Sequence, residues 1–525
     1  MRKWILILVL AASGTGACAA DLWDQARQNG ELNRKALLFC WRYSQGWLQF
    51  SDPNTGLLPH DLKGGAYWNA KDCAADNFPF MTITACMTDR ALFDGRMHQI
   101  LETEQRLCNR VDHLPDDYDF ATQTFRTEQP NIDGLIFGAA EYIKDGLIPL
   151  TEWLGPSPWS DRMIQLMDDI WKQAYIDTEV GKTPSASHEV AGDLLQALSR
   201  MYWMTRNNAY KEHAYQLASY FLDYHLPTKA DKLGLDDHGC EVIGGLSETY
   251  VIASHKDPDR AAAWRPAMHA MLDRVLEVGR DKTGLLYNHI NPVTGKILNE
   301  ERTDNWGYNY NAFATVAALD NVPRFKDAVM HVLTNLSKNK DYPWEGAKAD
   351  GFADTLEGGI NLINRFPVPE AIDWADYTAQ RLFALQRDTG VIEGWYGDGN
   401  SARTMIMYAQ WKSLGARVEP WRADVRVGAI RDTNGDVLLH VASDWPWQGT
   451  LRFDIPRHQE YLNMPADYPR INQFPEWFTV PKTGNYTLDY GKDKPEDVTA
   501  ETLRAGIPIT VAPDKPIALR LYKFE

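Results

Sequence analysis

The sequence predicts a mainly α protein: an (α/α)6 or (α/α)7 toroid followed by a C-terminal antiparallel β-sandwich. Three observations predict it. From about residue 25 to 415, amphipathic stretches alternate with helices that are small-residue-rich or apolar nearly all round. The alternation recurs at steps of roughly 50 residues, the period of a helix-hairpin repeat. After Trp421 the texture changes to short β-branched or alternating runs separated by turn residues.

The chain has 525 residues, too many for one simple core, and 44% hydrophobic residues, enough for a large one. A formal net charge of −17 without blocks of like charge disfavours nucleic acid or an anionic membrane surface as partner. Arg2 and Lys3 before "WILILVL" and "ACAA" read as an export leader, residues 1–19, cut after Ala19. The apolar run is too short for a transmembrane span. "GTGAC" offers a second, weaker reading, lipid attachment at Cys18. The expectation is therefore an exported, periplasmic protein, or a lipid-anchored one. Cys40, Cys73, Cys86, Cys108 and Cys240 are too sparse for a disulfide framework, although one bridge is compatible with them. No C-x-x-C, H-E-x-x-H, phosphate loop or G-x-S-x-G occurs, so neither metal nor cofactor is expected.

The toroid is expected over residues 20–420. Its amphipathic helices fall near 25–50, 92–110, 160–176, 208–226, 259–280, 322–338 and 369–387. "AAWRPAMHAMLDRVLEVGRD" shows the type: Met268, Met271, Leu272 and Val275 form one face, with Arg265, Asp273, Arg274 and Glu277 elsewhere. The apolar partners begin near Asn77, Ile132, His188, Gly239, Trp306, Gly351 and Asn400. Such a helix, "NAFATVAALD" for example, must be buried on all sides. An inner ring walled by an outer ring achieves that. Residues 421–525 form the β-domain, with strands at "DVRVGAIRD", "DVLLHVASD", "TLRFDIP", "NYTLDYG" and "IALRLYKFE".

In a toroid the starts of the inner helices surround one cavity, so polar residues there are candidate pocket groups. They are Asp76 and Asn77; Asp133; His188, Glu189 and Asp193; Asp236, Asp237, His238 and Glu241; Arg302, Asp304, Asn305, Trp306, Tyr308 and Tyr310; Asp350, Asp354 and Glu357; and Trp395, Tyr396, Asp398 and Arg403. Taken singly, each acid is explained by helix capping. Two observations favour a site. Asp350, Asp354 and Glu357 fall on one face of an otherwise apolar helix, where three unpaired carboxylates are expensive. Aromatic residues also accompany the acids: Trp68, Trp306, Tyr308, Trp395 and Tyr396. Rings for apolar sugar faces beside acids for hydroxyls make a carbohydrate site.

Two carboxyls across a glycosidic bond suffice for its hydrolysis. The catalytic candidates are Asp76, Glu189 and Asp354, with Asp133 and Asp304 second. Asn77, His188, His238, Arg302, Asp304, Asn305, Trp306, Tyr308 and Arg403 are the candidate substrate contacts, the cationic ones suited to an acidic sugar.

"GLLPHDLKGGAYWNAKDCAADNFPFMTITACMTD", "SHEVAGDLLQAL" and "RTDNWGYNYNAF" together resemble glycoside hydrolase family 154, and the similarity extends from about Leu32 to the end. The resemblance implies an exo-acting β-glucuronidase with an (α/α) toroid and an added β-domain. It would remove terminal β-linked glucuronic acid from plant or algal polysaccharide fragments. It assigns no catalytic residue. A uronate lyase, with Tyr308, Tyr310, His188 or Asn305 at the reacting centre, is a second reading. Unsaturated-glucuronyl hydrolase and a non-catalytic glycan-binding protein are others.

Overall fold

The computed structural model describes residues 19–491 and 494–524. Cys18 and the leader ahead of Ala19 lie outside them. Fourteen helices alternate between an outer and an inner layer. The outer ones are α1 (Ala19–Leu48), α3 (His98–Cys108), α5 (Pro158–Lys172), α7 (Asn208–Ser219), α9 (Pro258–Val278), α11 (Pro323–Asn335) and α13 (Pro369–Leu385). The inner ones are α2 (Phe78–Thr88), α4 (Ile132–Glu141), α6 (His188–Thr205), α8 (Cys240–Lys256), α10 (Trp306–Asp320), α12 (Ala349–Ile363) and α14 (Asn400–Lys412). With the turns that extend them, α2, α4, α6, α8, α10, α12 and α14 each pack on the next, and α14 packs back on α2. The ring closes with seven inner helices, so of the two expected sizes the fold is the (α/α)7 toroid.

Burial follows the layers. In α8 every residue from Cys240 to Ala253 is buried, whereas α9 buries only the stripe through Ala261, Trp264, Met268, Met271, Leu272 and Val275. An inner helix has neighbours on both sides and a partner behind, so a polar face has nowhere to go. Where α10 and α12 cross, side chains are absent: a Cβ on Gly307 would lie 2.6 Å from the backbone of Gly358. That contact draws α10 against α12 beneath the cavity described below.

The C-terminal strands are β1 (Arg417–Glu419), β2 (Arg426–Arg431), β3 (Val437–Ala442), β4 (Trp447–Arg452), β5 (Asn485–Asp489), β6 (Glu496–Thr499), β7 (Ile507–Val511) and β8 (Ile517–Phe524). They form two antiparallel sheets, ordered β1-β4-β7 and β2-β3-β8-β5-β6, around one core that includes Val427, Leu439, Leu451, Leu488 and Leu519. Strand β2 lies on α1, with Gly428 against the backbone of Ala26 and Gly30.

Between β4 and β5 the chain leaves the sheets and enters the ring. Leu462, Met464, Tyr468 and Phe474 join the toroid core. Arg470 pairs with Glu152 at 2.9 Å, and Arg200 donates to the Ile471 carbonyl at 2.8 Å. The loop plugs one end of the ring. All five described cysteines are free, and no helix among the described residues is long and apolar enough to cross a membrane.

Candidate active site

At the end opposite the plug, the inner-helix starts surround a cavity of about 660 Å³. Its walls come from every part of the ring, and its floor includes Ile471 of the plug.

One wall rests on two π-helical turns. Ala70–Asn77 leads into α2, and Tyr142–Leu147 continues α4; the two turns pack on each other. A π turn is wider than an α turn and is used where side chains must be re-aimed. Here it brings both Asp72 and Asp76 to the cavity, Asp72 bonded to His60 and Asp76 close to Lys144 and Asp145. Asn69, not Asp76, caps the first turn, accepting from the Cys73 N–H at 2.9 Å. Capping, the simplest account of Asp76, therefore does not apply. Lys144 Nζ lies 3.0 Å from Asp145, 3.5 Å from Asp193 and 3.4 Å from Glu241. Burial, which would raise it, is outweighed for Asp145 by the Lys144 ammonium, and its pKa falls. For Asp76 the cations, Lys144 included, do not prevail. Burial, then Asp145 and Asp72, push it well above the usual carboxylate range, against a weaker pull from Arg403.

The second wall is built on α10, α12 and α14. Asp354 Oδ1 accepts from Arg403 Nη2 at 2.6 Å, and Oδ2 from Asn305 Nδ2 at 3.1 Å. Arg403 Nε lies 2.7 Å from Glu357. The Tyr308 hydroxyl donates to Glu357 at 2.6 Å and accepts from Arg403 at 3.1 Å. Two of the three acids on the α12 face thus share one guanidinium. The third, Asp350, lines the cavity and accepts from Asn400 Nδ2 at 3.0 Å. Burial and then Asp354 raise Asp304 and Asp350 well above their ordinary values.

Between these walls stand Glu189, Asp237, His238 and Glu241. His238 has a left-handed backbone, φ 67°, and its ring meets Glu189. The Glu189 hydrogen bond, against burial, pushes His238 up to about 10. Burial pushes Asp237 up to about 7, with His238 opposing. Glu141, Glu189 and His238 each offer one ligand atom, all within 4.8 Å of one another, a set that could hold a metal ion. Glu189 and His238 stand at the starts of α6 and α8 and Glu141 at the far end of α4, so no sequence spacing announces them. At the rim are Tyr396, His60 and Trp395, which is 72% exposed. His60 bridges Asp61 and Asp72 at 2.9 and 3.0 Å.

The structure therefore brings Asp76, Glu189 and Asp354 to one cavity, together with His238, Asp304, Tyr308 and Arg403. Other expected contacts stand elsewhere. Asn77 is buried behind the wall, accepting from the Tyr43 hydroxyl at 2.8 Å. Asn305 supports Asp354 rather than facing the cavity. Trp306 is a core residue, its Nε1 donating to Thr355 at 2.6 Å, because the first turn of α10 is already enclosed by α12 and α13. Arg302 ends a hairpin and pairs with Asp281 at 2.7 Å. His188 turns outward, edge-on to Phe221. Asp133 is exposed and accepts from Tyr175 at 2.5 Å. The lyase candidates are scattered: Tyr308 lines the cavity but donates its hydroxyl to Glu357, Tyr310 donates to the Gly284 carbonyl, and His188 stands outside. Sequence reasoning passed over His60, Glu141, Lys144, Asp145, Glu345 and Ile471. For three of them a signal existed. "AAEYIKDGLIPL" sets Glu141, Lys144 and Asp145 inside an apolar helix, where charge needs partners.

No family model and no curated protein matches the sequence. Solved structures give partial likenesses. The GH76A α-1,6-mannanase of Salegentibacter sp. aligns at 15% identity over 59% of this chain and 96% of its own, TM-score 0.41. Cellobiose 2-epimerase of Spirochaeta thermophila aligns at 13% over 74% and 97%, TM-score 0.42. A possible GH105 member from Salmonella enterica serovar Paratyphi A aligns at 13% over 52% and 81%, TM-score 0.38. These scores are too low to bear on activity, which is read from the residues of the cavity.

Proposed function

We propose that this protein is a glycoside hydrolase that holds a terminal sugar in the ring cavity and cleaves its glycosidic bond between Asp76 and Asp354. One observation carries the reading. Two carboxyls with opposite environments face the same cavity from α12 and from the turn before α2, with Arg403 of the intervening α14 bonded to one and near the other. A carboxyl that keeps its proton, facing one whose two oxygens are held by donors, divides the work into proton donor and acceptor. Asp76, its proton retained by burial and by Asp145, donates to the departing glycosidic oxygen. Asp354, with donors on both oxygens, is the acceptor, acting on water or on the anomeric carbon. Trp395 and Tyr396 offer ring faces to the sugar at the mouth.

The sugar we favour is β-linked glucuronic acid from a plant or algal fragment, as the family resemblance implies. A carboxylate-bearing sugar needs a cation in a cavity this acidic. Lys144 and Arg403 are occupied by protein acids. Lys71 is the exposed lysine at the mouth, with no carboxylate in ion-pair range among the described residues. On the leader sequence, we place the activity outside the cytoplasm.

The test is turnover of 4-nitrophenyl β-glucuronide beside the glucoside, galactoside and mannoside, and of uronate-bearing oligosaccharides read for both sugar release and ultraviolet absorbance. Release without a rise in absorbance is expected. An unsaturated, absorbing product would replace the hydrolase with a lyase.

A further inference from the structure

We propose that the cavity continues into a groove along α6 and α7 that binds the leaving-group chain of an oligosaccharide; this rests on the hydrolase reading. Ile471 and the plug close the floor, so a glycan with its end sugar in the cavity must run out through the open side. Two hollows of about 440 and 580 Å³ lie in that direction. The first shares Asp236, Asp237 and His238 with the cavity. The second shares His188, Phe221 and His225 with the first. Each space thus shares a wall with the next, and each hollow is within the size range of a small-molecule site.

The walls differ in the way a sugar's two sides differ. One wall is aromatic: Tyr220 stacks on His225 with centroids 4.2 Å apart, and Phe221 meets His188 edge-on at 5.3 Å. The other is the hairpin Ile176–Thr178 and Gly181–Thr183 with the serines that follow it, a row of hydroxyl groups. Glu179 of this hairpin holds His225 across the groove at 3.1 Å. Rings receive the apolar face of a pyranose while hydroxyls meet its edge. A flat protein partner would use neither the narrow section nor the opening into the cavity. The groove also gives His188 a place in substrate binding, one sugar or more beyond the cleaved bond.

The test compares His225→Ala and Tyr220→Ala with the wild type on 4-nitrophenyl β-glucuronide and on a glucuronic-acid-terminated tetrasaccharide, with thermal melts as a folding control. The groove predicts a KM about five- to tenfold higher on the tetrasaccharide, the effect of one lost stacking contact, and an unchanged aryl glucuronide. Equal effects on both substrates, or none on the tetrasaccharide, overturn it. Calorimetric titration of the tetrasaccharide into Asp354→Asn, with and without His225→Ala, separates groove from chemistry. Weaker binding in the double variant supports the groove even if the wild type cleaves nothing, an outcome that sinks only the hydrolase reading. Unchanged or absent binding overturns the groove.

Discussion

Asn472 of the plug accepts a hydrogen bond from Arg403 Nη1 at 2.8 Å, and with its side-chain amide donates to Asp145 at 2.6 Å. Its backbone N–H donates to Glu357 at 2.7 Å. One residue carried by the C-terminal domain thus joins the two charged walls of the ring cavity. Its left-handed backbone, φ 59°, makes this possible, and asparagine tolerates that conformation better than most residues. The β-domain is tied to the ring cavity by this link and to α1 by its packing.

Asn472→Ala should therefore lower turnover while leaving the fold intact. Hydrogen bonds to charged groups contribute about 1.5–3 kcal/mol, so a fall of about tenfold to a hundredfold in kcat/KM is expected. Steady-state kinetics beside a far-ultraviolet circular dichroism spectrum check it. Undiminished turnover would mean that Arg403 is held well enough by Asp354 and Glu357 alone.

On a natural disaccharide, Asp354→Asn and Asp76→Asn should each cut kcat by about 10²–10⁴, the usual span for a positioned acid or base. Their signatures should differ. Removing the acceptor affects good and poor leaving groups alike. Removing the donor should spare an aryl glycoside, whose phenolate departs unaided, and cripple a natural disaccharide. Full activity of both variants on the disaccharide would transfer the roles to Asp304 and Glu189.

Much of the ring could be read from the sequence because its periodicity is unbroken. Ile132, His188, Trp306 and Asn400 begin inner helices where the loss of a polar face said they should. The start expected near Asn77 falls one residue from α2 at Phe78, but the π turn Ala70–Asn77 ahead of it was not legible, its one local signal being the cap at Asn69. Strand β6, Glu496–Thr499, is short, mostly exposed and at a sheet edge, so it lacks the alternation that marks Asn485–Asp489. The same logic governs the site. Asp350, Asp354 and Glu357 stood out because helical spacing puts them on one face. Lys144 and Asp145 did not, since a π turn breaks that spacing. Asn472 sits some seventy positions from Arg403, and only the fold brings the plug back into the ring.

Stability should fall as pH rises through neutrality. Burial, and next Asp354, push Asp398 up to about 7, against roughly 3.9 for a free aspartate. Between those values the folded protein holds a proton that the unfolded chain has released. This contribution is full below about pH 4 and is lost as pH climbs through 7. Asp237, also pushed up to about 7, acts the same way. Asp145 has the opposite sign: its lowered value stabilises above the unfolded pKa and is lost in acid. Asp398→Asn removes one titration, so the stability of wild type relative to this variant should drop by about 2 kcal/mol from pH 5 to pH 8. Urea midpoints at the two pH values measure it, and a difference independent of pH would show that Asp398 is ionised throughout.

Lys71 decides the sign of the sugar. It lies one residue from Asp72, at the mouth rather than in the buried ion network, so its replacement should not disturb the ring. A partly exposed ion pair contributes on the order of 1 kcal/mol. Lys71→Met should therefore raise KM for 4-nitrophenyl β-glucuronide about fivefold, and more at low ionic strength than in 0.5 M salt, by roughly the screening expected over a few ångströms. The corresponding glucoside, lacking the carboxylate, should be unaffected. If glucuronide and glucoside respond alike, Lys71 does not read the carboxylate, and an acidic cavity with its inner cations already paired would then favour a neutral terminal sugar.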